Sequence, residues 1–132
     1  MAQYKTFSTM GKDENAPDPS TMIEVPRIKS SENRKTLIQS NLVVVIDNYT
    51  DWCGPCKQCA PQFSVLAGKY SKAGVCAFAK ENVEDKCGDW PENIRGVPCF
   101  HFYVNGQFIT DATVTGADIN QVEQTVKRLL SQ

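Results

Sequence analysis

The chain has 132 residues, 14 Lys plus Arg against 15 Asp plus Glu, a net charge of −1 and 41% apolar residues. That fits one domain with a packed core, since two domains would each be unusually small. The near-balanced charge argues against a dedicated nucleic-acid binder, and the longest apolar run, Leu42-Val43-Val44-Val45-Ile46, is far too short to cross a membrane.

Residues 1–21 stand apart. Met10 to Ser20 is polar and contains proline, with nothing to bury, so 1–21 reads as a flexible amino-terminal arm and 22–132 as the domain. The arm is read as an uninvolved tail or as a docking or targeting segment. Met1 to Ser20 has no apolar stretch of the secretory kind, so a cytoplasmic protein is expected. Met22 to Ile28 alternates weakly and is expected as a first strand, at an edge because of Pro26. Glu32 to Ser40 carries Leu37 and Ile38 between polar flanks and predicts a short helix. Leu42 to Tyr49 is apolar on both faces, the mark of a central, covered strand. Gly54 to Lys72 has Phe63, Leu66, Ala67 and Tyr70 at helical spacing, with Pro61 as an internal kink.

Val75 to Val83 alternates as a third strand. Cys87 to Arg95 is irregular, with a short helix over Pro91 to Ile94. Cys99 to Val104 is a strand, Asn105-Gly106 a hairpin turn and Gln107 to Val114 the return strand. Asp118 caps a final helix with Ile119, Val122, Val126, Leu129 and Leu130 on one face. The order β-α-β-α-β-α-β-β-α gives an α/β fold, a mixed central sheet flanked by helices on both faces.

Six cysteines are many for a reducing compartment and too few for a disulfide-stapled scaffold. Cys53 and Cys56 lie where the central strand ends and the long helix begins. At a helix amino end the unpaired N–H groups and the macrodipole favour a thiolate on Cys53, while Cys56 falls one turn further in, shielded from solvent. One attacking and one resolving sulfur is what thiol–disulfide exchange through a mixed disulfide needs. Gly54-Pro55 holds the turn. Asp47 is an ionisable group in an apolar strand, which favours a functional role and a raised pKa.

Trp52-Cys53-Gly54-Pro55-Cys56-Lys57 is identical to the active-site hexapeptide of the thioredoxin family, and Asp47, Pro61, Lys80, Arg95-Gly96-Val97-Pro98, Asn105-Gly106 and Gly116 follow that family's order. The resemblance covers about residues 22 to 131. It implies a thioredoxin fold and a protein-disulfide oxidoreductase in which Cys53 attacks and Cys56 resolves. It also implies Asp47 as proton acceptor for Cys56, Lys80 as its modulator, and a cis peptide before Pro98. Trp52, Gly96, Val97, Pro98 and Gly116 would form the docking surface for client proteins. No bound cofactor is implied, and electrons would come from a thioredoxin reductase or be exchanged with a sulfhydryl oxidase. A monomer is expected, with no nucleic-acid or membrane partner. Gly-Pro between the cysteines points to the reducing end of the family.

The other four cysteines depart from the pattern. Cys59 is read as core; Cys53, Cys56 and Cys59 resemble the start of an iron–sulfur ligand run, but Pro61 to Val65 lacks a fourth cysteine. Cys76 and Cys99 are read as packing residues, Cys99 close behind the site. Cys87, in an irregular segment read as exposed, is the candidate for an intermolecular disulfide. His101 is read as structural, and the Asn48-Tyr49-Thr50 sequon as buried. The competing function is a redox-inert assembly subunit that docks through the same surface.

Overall fold

The computed structural model describes residues 22–88 and 94–132. The elements are α1 (Ser31–Ser40), β1 (Val43–Tyr49), α2 (Gly54–Tyr70), β2 (Cys76–Asn82), β3 (Cys99–Val104), β4 (Gln107–Phe108), β5 (Val114–Thr115) and α3 (Ile119–Leu130). Short 3₁₀ turns occupy Val83–Asp85 and Thr110–Ala112.

The apolar run of β1 makes it the middle of the sheet. It pairs in parallel with β2 and antiparallel with β3, in the order β2-β1-β3-β4, and β5 also pairs with β3. Strand alternation divides the core in two. Val43, Val45, Phe78, Phe100 and Phe102 face α2 and α3, where Phe63, Leu66, Val122 and Val126 cover them. Val44, Ile46 and Ala79 face the other way, against Ile38 of α1. Helices therefore cover both faces, as expected.

Each helix starts on a side-chain cap, which satisfies an otherwise orphaned N–H. Ser30 Oγ accepts from Asn33 N–H, and Asp118 Oδ1 accepts from Gln121 N–H. Pro55 sits in the first turn of α2, where no N–H is needed, and α2 runs on through Pro61. Tyr70 Oη and Lys69 Nζ both donate to Glu123 Oε2, tying α2 to α3.

Three expectations change. Met22 to Ile28 forms no strand; its pairing is a single parallel bridge, Arg27 to Lys80, because Pro26 offers its carbonyl to Lys80 N–H but has no N–H of its own. The return strand after Asn105-Gly106 breaks in two. Phe108 pairs with Tyr103 and Val114 with Phe100, so the segment has more residues than the stretch of β3 it spans, and the excess bulges as the Thr110–Ala112 turn. Cys87 is buried against the α1 face rather than exposed, which removes the basis for an intermolecular disulfide there. The helix expected at Pro91 to Ile94 and the amino-terminal arm fall largely or wholly outside the described residues.

Candidate active site

The site is built where β1 hands over to α2. Cys53 is the N-cap of α2, in extended backbone, and its Sγ accepts the Cys56 N–H at 3.1 Å. That is the orphan-donor geometry that stabilises negative charge on a sulfur. Cys53 and Cys56 form a disulfide, with Cα atoms 5.3 Å apart. Exposure does not distinguish them, since Cys53 is 3% and Cys56 4% exposed. What differs is the neighbourhood. Cys53 Sγ lies 3.6 Å from the Val97 carbonyl oxygen on the outer side. Cys56 lines an inner cleft of about 150 Å³ together with Asp47, Thr50, Lys57 and Lys80.

The outer side gathers the residues expected to meet a client. Trp52 is 71% exposed, and its Nε1–H donates to Glu84 Oε2 at 3.2 Å. The Val97–Pro98 peptide is cis. Gly116 N–H donates to the Pro98 carbonyl at 2.8 Å, which sets Gly116 beside Pro98. Gly116 has φ +98°, a conformation that glycine adopts without strain. Gly96 is exposed and Val97 half-buried. Gly54 has no such requirement, because a Cβ added there would meet nothing within 4 Å.

On the inner side Asp47 is 4% exposed, opposite Lys80 in the β1–β2 register. Burial pushes its carboxyl up to about 7, opposed by the charge of Lys80. Among the described residues its Oδ1 has no hydrogen-bond partner, and neither has Thr50 Oγ1.

The remaining cysteines are buried. Cys59 Sγ–H donates to the Cys56 carbonyl at 3.6 Å, and burial, with the nearby Asp47 charge, pushes its thiol up to about 11. Burial also takes Cys76 up to about 11 and raises Cys99. Cys99 pairs with Asn48, so alternation turns it to the sheet face away from Asp47 and Phe100. Among the described residues, no three His, Cys, Asp or Glu side chains converge as a metal site. His101 is buried and packs edge-on against Phe108 at 4.9 Å between ring centres. Asn48 is buried too, and its Nδ2–H donates to the Cys99 carbonyl at 2.9 Å.

Sequence reasoning missed Glu84 and Thr50 at the site, and the Arg34–Glu81 pair on the opposite sheet face. Glu84, which steadies Trp52, is set by a turn capped through Asn82, whose Oδ1 accepts Glu84 N–H. Arg34 and Glu81 pair across elements far apart in sequence. Thr50 offered a weak signal, a hydroxyl between Tyr49 and Asp51 at the end of an apolar strand.

Comparison with known proteins is consistent with this geometry. The thioredoxin family model matches residues 24–128. A thioredoxin of Neurospora crassa is 33% identical over 80% of this chain and 86% of its own length. Thioredoxin-1 of Schizosaccharomyces pombe is 31% identical over 78% of this chain and 96% of its own. Among solved structures, a thioredoxin of Plasmodium falciparum superposes with a TM-score of 0.67 at 29% identity, over 79% of this chain and 98% of that one.

Proposed function

Because the chain belongs to the thioredoxin family of thiol–disulfide oxidoreductases, we propose that it reduces protein disulfides, with Cys53 as the attacking sulfur and Cys56 as the resolving one. The observation that carries the assignment is the Cys56 N–H directed at Cys53 Sγ at the helix start. A Cys53 thiolate accepts that bond, attacks a client disulfide and expels one client thiolate. Cys56 then attacks Cys53 Sγ, the Cys53–client bond breaks and the second client thiolate leaves. The protein ends as the Cys53–Cys56 disulfide and the client as a dithiol, a balanced two-electron exchange.

Cys56 must lose a proton to attack. Asp47 shares its cleft and is raised to about 7, so it changes charge in the range where it takes that proton. Lys80, across the register, tempers it. Trp52, Gly96, Val97, Pro98 and Gly116 receive an extended client segment, and the Val97 carbonyl beside Cys53 supports this placement. The reducing direction, a flavoenzyme reductase as electron donor and a cytoplasmic setting complete the reading. The Gly54-Pro55 pair supports the reducing direction, the family resemblance supports the reductase, and the polar character of Met1 to Ser20 supports the setting.

Insulin reduction with dithiothreitol tests it. Native protein accelerates precipitation, and Cys53→Ser reduces the rate to that of dithiothreitol alone. A native protein no faster than dithiothreitol alone would leave the redox-inert docking subunit as the better reading, and a Cys53→Ser protein as active as the native one would overturn Cys53 as the attacking sulfur.

A further inference from the structure

The cleft behind Cys56 holds a coincidence that the exchange chemistry alone does not require. Among the described residues, two buried side-chain oxygen or nitrogen atoms lack a hydrogen-bond partner in the protein, Asp47 Oδ1 and Thr50 Oγ1. Both residues line this one cleft, with Cys56 on its wall. A buried polar atom left unpaired forfeits the hydrogen bonds it would make in water and destabilises the fold. Alanine or valine at position 50 would avoid that cost, so the hydroxyl needs a reason. The cleft volume, about 150 Å³, exceeds the roughly 30 Å³ a water occupies in the liquid. Thr50 is also fixed in place, being 3% exposed with its carbonyl accepting the Cys53 N–H at 3.3 Å.

We propose that Thr50 is a positioning residue for the proton acceptor: its hydroxyl and Asp47 Oδ1 together seat a water against Cys56, and this seat favours the charged, proton-accepting carboxylate. The proposal rests on the reading of Asp47 as acceptor. When Cys56 attacks Cys53, its proton passes by way of that water to Asp47, its sulfur forms the bond to Cys53, and the client thiolate leaves. The cleft then lets the proton out past Asp51 and Lys57, both exposed at its edge.

Several titratable or charged groups surround Asp47. Lys80 faces it from β2; Cys56, Lys57 and Cys59 belong to α2; Tyr49 and Asp51 lie at the end of β1; and Cys99 belongs to β3. In the oxidised protein Cys53 and Cys56 do not titrate, and Cys59, pushed up to about 11, stays protonated at neutral pH. The Asp47 midpoint can therefore be read there without thiol coupling.

The test is carboxyl ¹³C NMR titration of oxidised native, Thr50→Val, Thr50→Ala and Thr50→Ser proteins. Stopped-flow release of thionitrobenzoate from a Cys53 mixed disulfide follows the resolving step in the reduced background. Thr50→Val and Thr50→Ala raise the Asp47 midpoint by about one pH unit, and the rate profile moves up with it. Thr50→Ser restores both. A native midpoint in Thr50→Val and Thr50→Ala, or an equal shift in Thr50→Ser, overturns the role of Thr50. A midpoint that moves without the rate profile instead overturns Asp47 as acceptor and leaves Thr50 as the group that holds its charge.

Discussion

Lys80 stands opposite Asp47 in the parallel register of β1 and β2, on the sheet face that carries the disulfide. Burial and this lysine act on Asp47 in opposite directions, and burial wins, leaving the carboxyl at about 7. Replacing Lys80 by Gln removes the opposing charge. The Asp47 midpoint then rises above its native value, and the pH profile of disulfide resolution rises with it. A carboxyl titration of the variant checks this, and a midpoint that falls or stays would show that Lys80 does not act on Asp47.

The same carboxyl makes stability depend on pH in a direction opposite to that of a salt-bridged acid. In the unfolded chain Asp47 titrates near 3.8, and in the fold at about 7. Between those values the native state binds the extra proton, so the contribution of Asp47 is full below about pH 4 and is lost as pH rises to 7. The loss is on the order of 4 kcal/mol as an upper bound. Urea midpoints of native and Asp47→Asn proteins at pH 5 and pH 8 isolate it. The native protein weakens relative to the variant at pH 8, whereas parallel pH dependence would place the Asp47 carboxyl in its ordinary range.

On the opposite face, Arg34 Nε donates to Glu81 Oε1 at 3.1 Å, with the Glu81 side chain 2% exposed, and Arg34 also donates to Tyr103 Oη. Breaking one side of a buried pair leaves a desolvated charge. Arg34→Met is expected to cost about 3–5 kcal/mol, most of it recovered in the Arg34→Met/Glu81→Leu double variant. Denaturant unfolding of the three proteins measures the coupling.

Thiol reactivity is expected to separate Cys53 from Cys59 and Cys76. At pH 8 a thiol with a pKa of about 11 is roughly one part in a thousand thiolate. After gentle reduction, brief iodoacetamide treatment labels Cys53 first and leaves Cys59 and Cys76 untouched until the chain is unfolded. Peptide mapping by mass spectrometry reads this directly, and early labelling of Cys59 would mean that its helix face opens.

The elements that could be read from the sequence were those whose signal is local. The apolar run of β1, the helical spacing of α2 and the Asp118 cap each state their own geometry within a few residues. The Cys53–Cys56 spacing states its chemistry in the same way. What was hidden depends on pairing across long separations. The Met22–Ile28 segment alternates like a strand but has one bridge partner, and nothing local shows how little of β2 it pairs with. The return strand looked continuous because its excess length is visible only against β3. Cys87 sits in a polar stretch that reads as surface until α1 is laid over it. The equal burial of Cys53 and Cys56 was equally hidden, since helix position alone suggested that one was sheltered and the other not.

The central claim is that one particular sulfur makes the first bond to a client. Incubating reduced Cys56→Ser protein with an oxidised client peptide, then locating the adduct by mass spectrometry, tests it most directly. A stable one-to-one mixed disulfide at Cys53, with one client thiol released per protein, is the predicted result. An adduct at Cys59, Cys76, Cys87 or Cys99 with Cys53 left free would contradict it.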